Sequence, residues 1–248
     1  MDTGLWSVWY DVDPAHEAEY LDWVHAHYIP WLKQLSGIAW TPHYRNTGGG
    51  PAMQELMRRA PHADEPMPQG GDYILLVGAP TVHVFWNPYV LELALPDGLE
   101  AMLAHRREVR HEFFTEEARV DGASGASRST GQASAPAIQF GTYRMGQVEA
   151  AFYLGQFNTQ SRFPAMAQQP GCVRVRKMVS VAGWPKHGVL YEFDSLEARL
   201  KNHEKPLEAQ TLQPGTPTGR NTANAIYAPR SPFVGERIWP PVHPGEIA

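Results

Sequence analysis

The sequence predicts an α+β fold built as two repeats, each an antiparallel sheet with helices on one face, the two sheets packing against each other. Three observations predict it. Strand-like segments rich in aromatic and β-branched residues alternate with segments of helical periodicity. The pattern of residues 5–45 returns without a gap 134 positions on: Trp6 meets Phe140, Trp9 meets Tyr143, Trp23 meets Phe157, Pro30 meets Pro164, Gln34 meets Gln168 and Gly37 meets Gly171. A helix-breaking proline and a capping glycine at one spacing are what a structural repeat retains. Finally, the helix start at Asp97-Gly98-Leu99-Glu100-Ala101 returns as Asp194-Ser195-Leu196-Glu197-Ala198, 97 positions on, so the first repeat carries an insertion.

Residues 5–12 (LWSVWYDV) read as a strand, and Asp13-Pro14 supplies an N-cap followed by proline at the first helical position. Tyr20, Leu21, Val24, Tyr28, Trp31, Leu32 and Leu35 then recur at helical spacing, and Ser36-Gly37 closes the helix. Pro30 removes a backbone donor inside that run and kinks or splits it. A second strand follows at 38–45. Residues 46–71 hold most of the insertion, with loop composition and a short helix at 52–60, the kind of segment that forms a lid, an interface arm or a surface loop. Residues 73–78, 81–86 and 89–95 are strand-like in the first repeat and 188–193 in the second, while the charged run 105–111 (HRREVRH) reads as helix. Residues 121–136 are small and polar, a linker, and the chain divides into a first repeat at 1–120, a second at 137–230 with a strand near 223–228, and a tail at 231–248. Each repeat is then β-α-β-β-α with room for a fourth strand, the ferredoxin-like plan, and packing the two sheets face to face makes an α+β barrel with a cavity between them.

Composition limits the function. A net charge of −5 lacks the basic excess that nucleic-acid binding requires. A single cysteine, Cys172, excludes an intrachain disulfide and suits the reducing cytoplasm. The thiol itself reads as buried and inert. No apolar run reaches the ~18 residues of a membrane span, and the first residues do not read as a signal peptide. Aromatic residues make up 11% of the chain and gather near the strands and first helix, which suits an apolar or aromatic small-molecule ligand as well as plain core packing.

Within this frame His27 lies roughly 60° from the centre of the helix's apolar stripe, where an imidazole titrating near neutrality could act as general acid or base. The second repeat has Ser161 in its place. His25, two residues away, points about 200° from it, so the pair is no metal site, and no metal is expected. On the second strand His43 and Arg45 share one face and Tyr44 the other; either face could meet the cavity. On the first strand Trp9 and Asp11 alternate with Trp6, Val8 and Tyr10, and the more polar pair is placed toward the cavity. His83 is a polar residue in an apolar strand, a further cavity candidate or an edge residue. His105 and His111 lie in a charged run that reads as a solvated helix face or an interface, and Gly48-Gly49-Gly50 lacks the Lys-Ser/Thr of a phosphate loop.

Trp23-Val24-His25-Ala26-His27-Tyr28-Ile29-Pro30-Trp31-Leu32, followed by Ser36-Gly37 and His43-Tyr44-Arg45, resembles the first helix and second strand of the dimeric α/β-barrel superfamily, EthD-type proteins in particular. The usual pattern there has Glu before the histidine, Pro before the glycine and a strand ending Arg-Tyr; this chain has Ala26, Ser36 and Tyr44-Arg45. The resemblance implies a homo-oligomer and an activity drawn from cofactor-free monooxygenases, isomerases, polyketide cyclases and dehydratase-like enzymes, or haem binding as in the related chlorite dismutases. The expected function is a cofactor-independent lyase or isomerase acting on a small aromatic or polyketide-like substrate. In that reading His27, His43 and Arg45 are catalytic, and Trp9, Asp11, His25, Tyr28, Tyr44 and His83 bind substrate. A cofactor-free monooxygenase, a haem-binding barrel and a non-catalytic binding or stress-related module are the alternatives.

Overall fold

The structure, a computed structural model, describes residues 2–125, 134–206, 213 and 215–246. Strand β1 (Gly4–Val12) is followed by Asp13, whose carboxylate accepts the Ala15 amide, so Asp13-Pro14 makes a turn and helix α1 (Glu17–Trp23) begins a few residues later. A π-helical turn at Val24–Tyr28 connects α1 to α2 (Ile29–Gln34), which Pro30 opens as one of its first residues. Gly37, at φ +85°, turns the chain out, a backbone region that favours glycine. Strand β2 (His43–Asn46) follows, shorter than expected, then α3 (Pro51–Arg59) inside the insertion, close to the expected 52–60, and β3 (Tyr73–Ala79).

Three expectations fail here. Residues 81–86 are no strand: Pro80 follows the end of β3, and Val82–Phe85 wind into a 3-10 turn that buries Val82 and Phe85 on one side, leaving His83 exposed. The segment 89–95 is turn and coil. After the short α4 (Leu99–Leu103), the charged run 105–111 enters strand β4 (Arg106–Asp121) instead of a helix. Its charges are partnered on both faces of the sheet: Arg110 and Glu112 pair at 2.9 Å inside the barrel, and Arg106 packs its guanidinium 4.4 Å from the centre of the Tyr10 ring on the outside. A strand covered on both faces loses the alternation that marks strands in sequence.

The second half repeats the order with β5 (Ala137–Met145), α5 (Val148–Phe157), a π turn at Asn158–Arg162, α6 (Phe163–Ala167), β6 (Cys172–Ala182), β7 (His187–Phe193) and α7 (Leu196–Ala198), continued as a π-helical stretch at Arg199–Glu204. Both first π turns and both turn glycines stand 134 positions apart, Val24 with Asn158 and Gly37 with Gly171 at φ +81°. Helix α8 (Pro217–Asn224) leads into β8 (Ala225–Tyr227), and β9 (Phe233–Trp239) lies within the stretch read as a tail. That strand is the fourth of the second half, and the 223–228 strand is a short addition beside β5. Of the expected linker, 121 ends β4, 126–133 lie outside the described residues, and Ala135 is buried where its carbonyl accepts the Tyr44 hydroxyl at 2.9 Å.

Every pairing between these strands is antiparallel, and eight of the nine close a ring in the order β1-β3-β2-β9-β5-β7-β6-β4, back to β1. The halves share one plan, 4-1-3-2 for the first and 9-5-7-6 for the second, so the chain is an α+β barrel of two ferredoxin-like units. The inside is packed solid: Leu5, Trp9, Ile74, Phe114, Phe140, Leu190 and Phe233 are fully buried there, with Trp9 stacked on Phe140 at 5.7 Å. The expected ligand cavity between the sheets is therefore core. Outside the ring, one apolar layer joins α1 and α2 to the first sheet and another joins α3 and α5 to the second. Cys172 is buried in the second layer, and burial pushes its thiol up to about 12.

Candidate functional site

The first half gathers several of the expected residues, outside the barrel. His43 and Arg45 face the helices and Tyr44 faces the barrel interior, where its hydroxyl donates to Ala135. His43 is fully buried, 2.7 Å by Nε2 from the Tyr10 hydroxyl and 2.9 Å by Nδ1 from His25 Nε2. His25 stacks flat on Trp239 at 5.0 Å. Burial holds His25 down at about 4 and His43 well below its usual value, with neighbouring His25, Arg106 and Arg45 adding to the effect on His43. Tyr28 is 5% exposed and lies under the Arg106 guanidinium at 4.8 Å, and Arg106 also donates to Tyr20. Arg45 is exposed and donates to the Tyr73 hydroxyl at 3.0 Å, which in turn donates to Glu17. These groups fill the space between sheet and helices.

The other expected residues lie apart from it. His27 is exposed, because the π turn adds a residue to the helical winding and changes the facing of the side chains it carries, so that His25 turns inward and His27 outward. Trp9 is core, its Nε1 donating to Ser7 Oγ at 3.2 Å. Asp11 accepts the amides of Gly71 and Asp72 at 2.8 and 2.9 Å and so holds the end of the insertion. His83 is exposed, and His111 accepts from Trp6 Nε1 at 3.2 Å.

The corresponding space in the second half is open. Here facing, not sequence offset alone, sets the equivalence. Tyr10 pairs with Tyr73 across β1 and β3 as Tyr143 pairs with His187 across β5 and β7, so the strands correspond at 133 positions while the helices correspond at 134. Trp6 then matches Gln139, Val8 matches Gly141, Tyr10 matches Tyr143, Val24 matches Asn158 and Tyr28 matches Arg162. Two large side chains are lost from the floor of the layer, and two apolar or aromatic ones on the helix become polar. The result is a cavity of about 80 Å³ floored by Gln139, Gly141, Tyr143 and Tyr191, roofed by Phe157, Asn158 and Arg162, and closed by Leu56 of α3, Asn221 of α8 and Tyr227. A Cβ built on Gly141 would meet nothing closer than Pro232 at 3.8 Å, so the floor has room there.

The polar groups of this cavity are deeply placed. Asn158 is 3% exposed and Asn221 8%. Asn158 Nδ2 and Asn221 Oδ1 lack hydrogen-bond partners among the described residues. Arg162 sits with its guanidinium carbon 5.4 Å from the Phe157 ring centre and 6.0 Å from that of Tyr191. Burial and the neighbouring Tyr227 and Tyr191 push the Tyr143 phenol well above its usual value, with Arg162 opposing. Gln139 Oε1 accepts from Arg199 at 3.0 and 2.7 Å, and Arg199 is paired with Glu204. Glu204 in turn accepts the amides of Gly50, Ala52 and Met53 at the start of α3. The inserted segment thus belongs structurally to the second half. On the far side of Pro232 and α3 a surface groove of about 430 Å³ runs between Asn46, Thr47, Met57, Asp72 and Arg230.

Sequence reasoning passed over this site because it followed the histidine. The usable signal was in the same alignment: Asn158 and Arg162 are polar at positions where Val24 and Tyr28 are buried. Haem does not fit what is built here. The described residues lining the cavity include no imidazole to serve as axial ligand. His203, on the same side, is fully buried against the rings of Tyr191 and Phe193. Among the described residues no group of three or more His, Cys, Asp or Glu is placed to hold a metal, and no helix is long and apolar enough to cross a membrane.

Comparison with known proteins adds the fold. No family model matches the chain, and no curated protein matches it by sequence. Solved structures do. A protein of Fusobacterium nucleatum assigned as a monooxygenase superposes with a TM-score of 0.59 at 10% identity, over 95% of this chain and 93% of that one. An anthrone oxidase-like protein follows at 0.54 and 12%, over 96% and 91%. A chlorite dismutase of Candidatus Nitrospira defluvii gives 0.50 and 12%, over 95% and 90%. What they share with this chain is the barrel. Several of these neighbours bear the names of oxidative enzymes.

Proposed function

We propose that the chain is a cofactor-independent oxygenase that binds a small phenolic or enolisable aromatic in the second-half cavity. The observation that carries this reading is the lining: tyrosine and phenylalanine rings for a flat apolar molecule, with the Arg162 guanidinium and the Asn158 amide buried among them. Such groups stabilise an oxygen anion in a dry site far more than water does. The described lining holds neither histidine nor carboxylate. The acid/base lyase or isomerase reading needs such a group, whereas a substrate that ionises readily and passes electrons to O2 needs only its anion stabilised. In such a reaction an activated CH2 becomes C=O, one oxygen atom enters the product and the other leaves as water. The resemblance to an anthrone oxidase-like protein is of fold, and it supplies a probe for this chemistry.

The test is oxygen consumption and quinone formation with 1,8-dihydroxyanthrone in metal-chelated buffer. The expected result is a rate well above the spontaneous one, lost in Gly141→Val, which restores the side chain that fills this space in the first half. A wild-type rate equal to the spontaneous one, or full turnover in a folded Gly141→Val protein, overturns the reading. A Soret band on adding haem would favour the haem-binding alternative instead.

A further inference from the structure

We infer that the cavity is built for a ligand with two chemically distinct ends: an oxygen anion or carbonyl received by Asn158, Gln139 and Arg162, and a hydroxyl or amine proton received by Asn221. This rests on the second-half cavity being the binding site, and it names the class of ligand.

The two unpartnered amide atoms carry the argument. A buried donor or acceptor left unmade is costly, and native proteins leave few. Asn158 and Asn221 both line this cavity, each more than nine-tenths buried. They lack opposite things: Asn158 presents an N–H donor at Nδ2, and Asn221 presents a carbonyl acceptor at Oδ1. The orientation of Asn221 follows from its other bond, since its Nδ2 donates to the Pro217 carbonyl at 3.2 Å. A guanidinium can only donate, so the two bonds from Arg199 fix Gln139 with its oxygen toward Arg199 and its N–H2 end turned away. Gln139 thus joins Asn158 and Arg162 as a donor. One part of the lining offers hydrogens and another asks for one. Hydrocarbons leave both unmet, and a symmetric dianion or a dication meets one and offends the other. A single planar ring bearing an acidic oxygen and, separately, a hydroxyl or amine satisfies both.

The probes are 4-hydroxybenzoate, which has both ends, and 4-methoxybenzoate, which has the anion and no proton to donate. Dissociation constants by isothermal titration should favour 4-hydroxybenzoate about tenfold to a hundredfold, the value of one buried hydrogen bond. In Asn221→Leu that preference should fall to near one, while Asn158→Leu should weaken both probes equally, by about tenfold or more. Asn158→Asp, which keeps the shape and puts an anion where the donor was, should abolish binding of both while its circular dichroism spectrum and urea-unfolding midpoint stay near those of the wild type, and undiminished binding in that folded variant also overturns the inference. The inference is overturned if the wild type shows no preference, if it binds neither probe, or if the preference survives in Asn221→Leu. Binding is read without turnover, so the outcome is separate from that of the oxygen assay: a protein that discriminates the probes and never oxidises an anthrone keeps this inference and loses the oxygenase.

Discussion

His43 is a polar side chain whose environment forbids it charge. Its two nitrogens are spent on Tyr10 and His25, its ring lies against Tyr10 and Tyr73, and no water reaches it. Removing the phenol with Tyr10→Phe strands Nε2 in the core, and urea unfolding should show a loss of about 1–3 kcal/mol. How much of this was legible is mixed. Strand alternation correctly set His43 and Arg45 against Tyr44, because period two holds wherever a strand is regular. Which face met the helices depended on how the sheet closed, and the residues alone do not carry that. His25 and His27 were separable only through the π turn at Val24–Tyr28, and the hydrogen bonding of one turn leaves no mark in residue type. At Asn158 and Arg162 the information is present in the residues themselves, as polar side chains at positions that are apolar or aromatic and buried in the first half.

Helix α3 shows how an element can belong to one half in sequence and the other in space. The repeat offsets located the insertion, and its helix falls near the expected place, yet its apolar side, Met53 and Leu56, packs with Leu154, Tyr143 and Tyr227. The buried carboxylate of Glu204 is what pins it, accepting three amides at its first turn while paired to Arg199. An anion there also suits the positive end of the helix. Glu204→Gln removes that charge and leaves Arg199 buried without a counterion, a change expected to cost about 3–5 kcal/mol. The loss should show in urea unfolding together with faster proteolysis inside 51–59 than elsewhere. Uniform proteolysis would mean that Glu204 does not hold this helix in particular. The partner of α3 was illegible because Glu204 lies some 150 residues downstream, and no local pattern links a helix start to so remote a carboxylate.

Among the described residues, burial holds four imidazoles neutral: His25, His111 and His187 down at about 4 and His43 well below its usual value. Unfolded histidines take up protons near 6.5, so between about 6.5 and 4 the unfolded chain binds protons that the folded one refuses, and stability falls as the pH is lowered. The buried carboxyls of Glu112 and Glu192, raised by burial, work in the opposite direction above about 4.5. His187 isolates the first effect, since neither ring nitrogen has a hydrogen-bond partner among the described residues. The wild type should lose more stability than His187→Phe between pH 6.5 and 4.5, by at most about 1.4 kcal/mol per pH unit, and equal slopes would show that His187 titrates freely.

The ring of strands has one further consequence. Two of its seams, β4 with β6 and β2 with β9, join strands from different halves. Each half therefore ends in ladders that only the other can complete. Recombination that imported one half from a distant relative would have to match two hydrogen-bonding registers and a shared aromatic interior at once. Their substitutions are thus coupled, and the first half can fill its own space with Trp6, Val8 and Tyr28 and still be indispensable to the half that keeps a cavity.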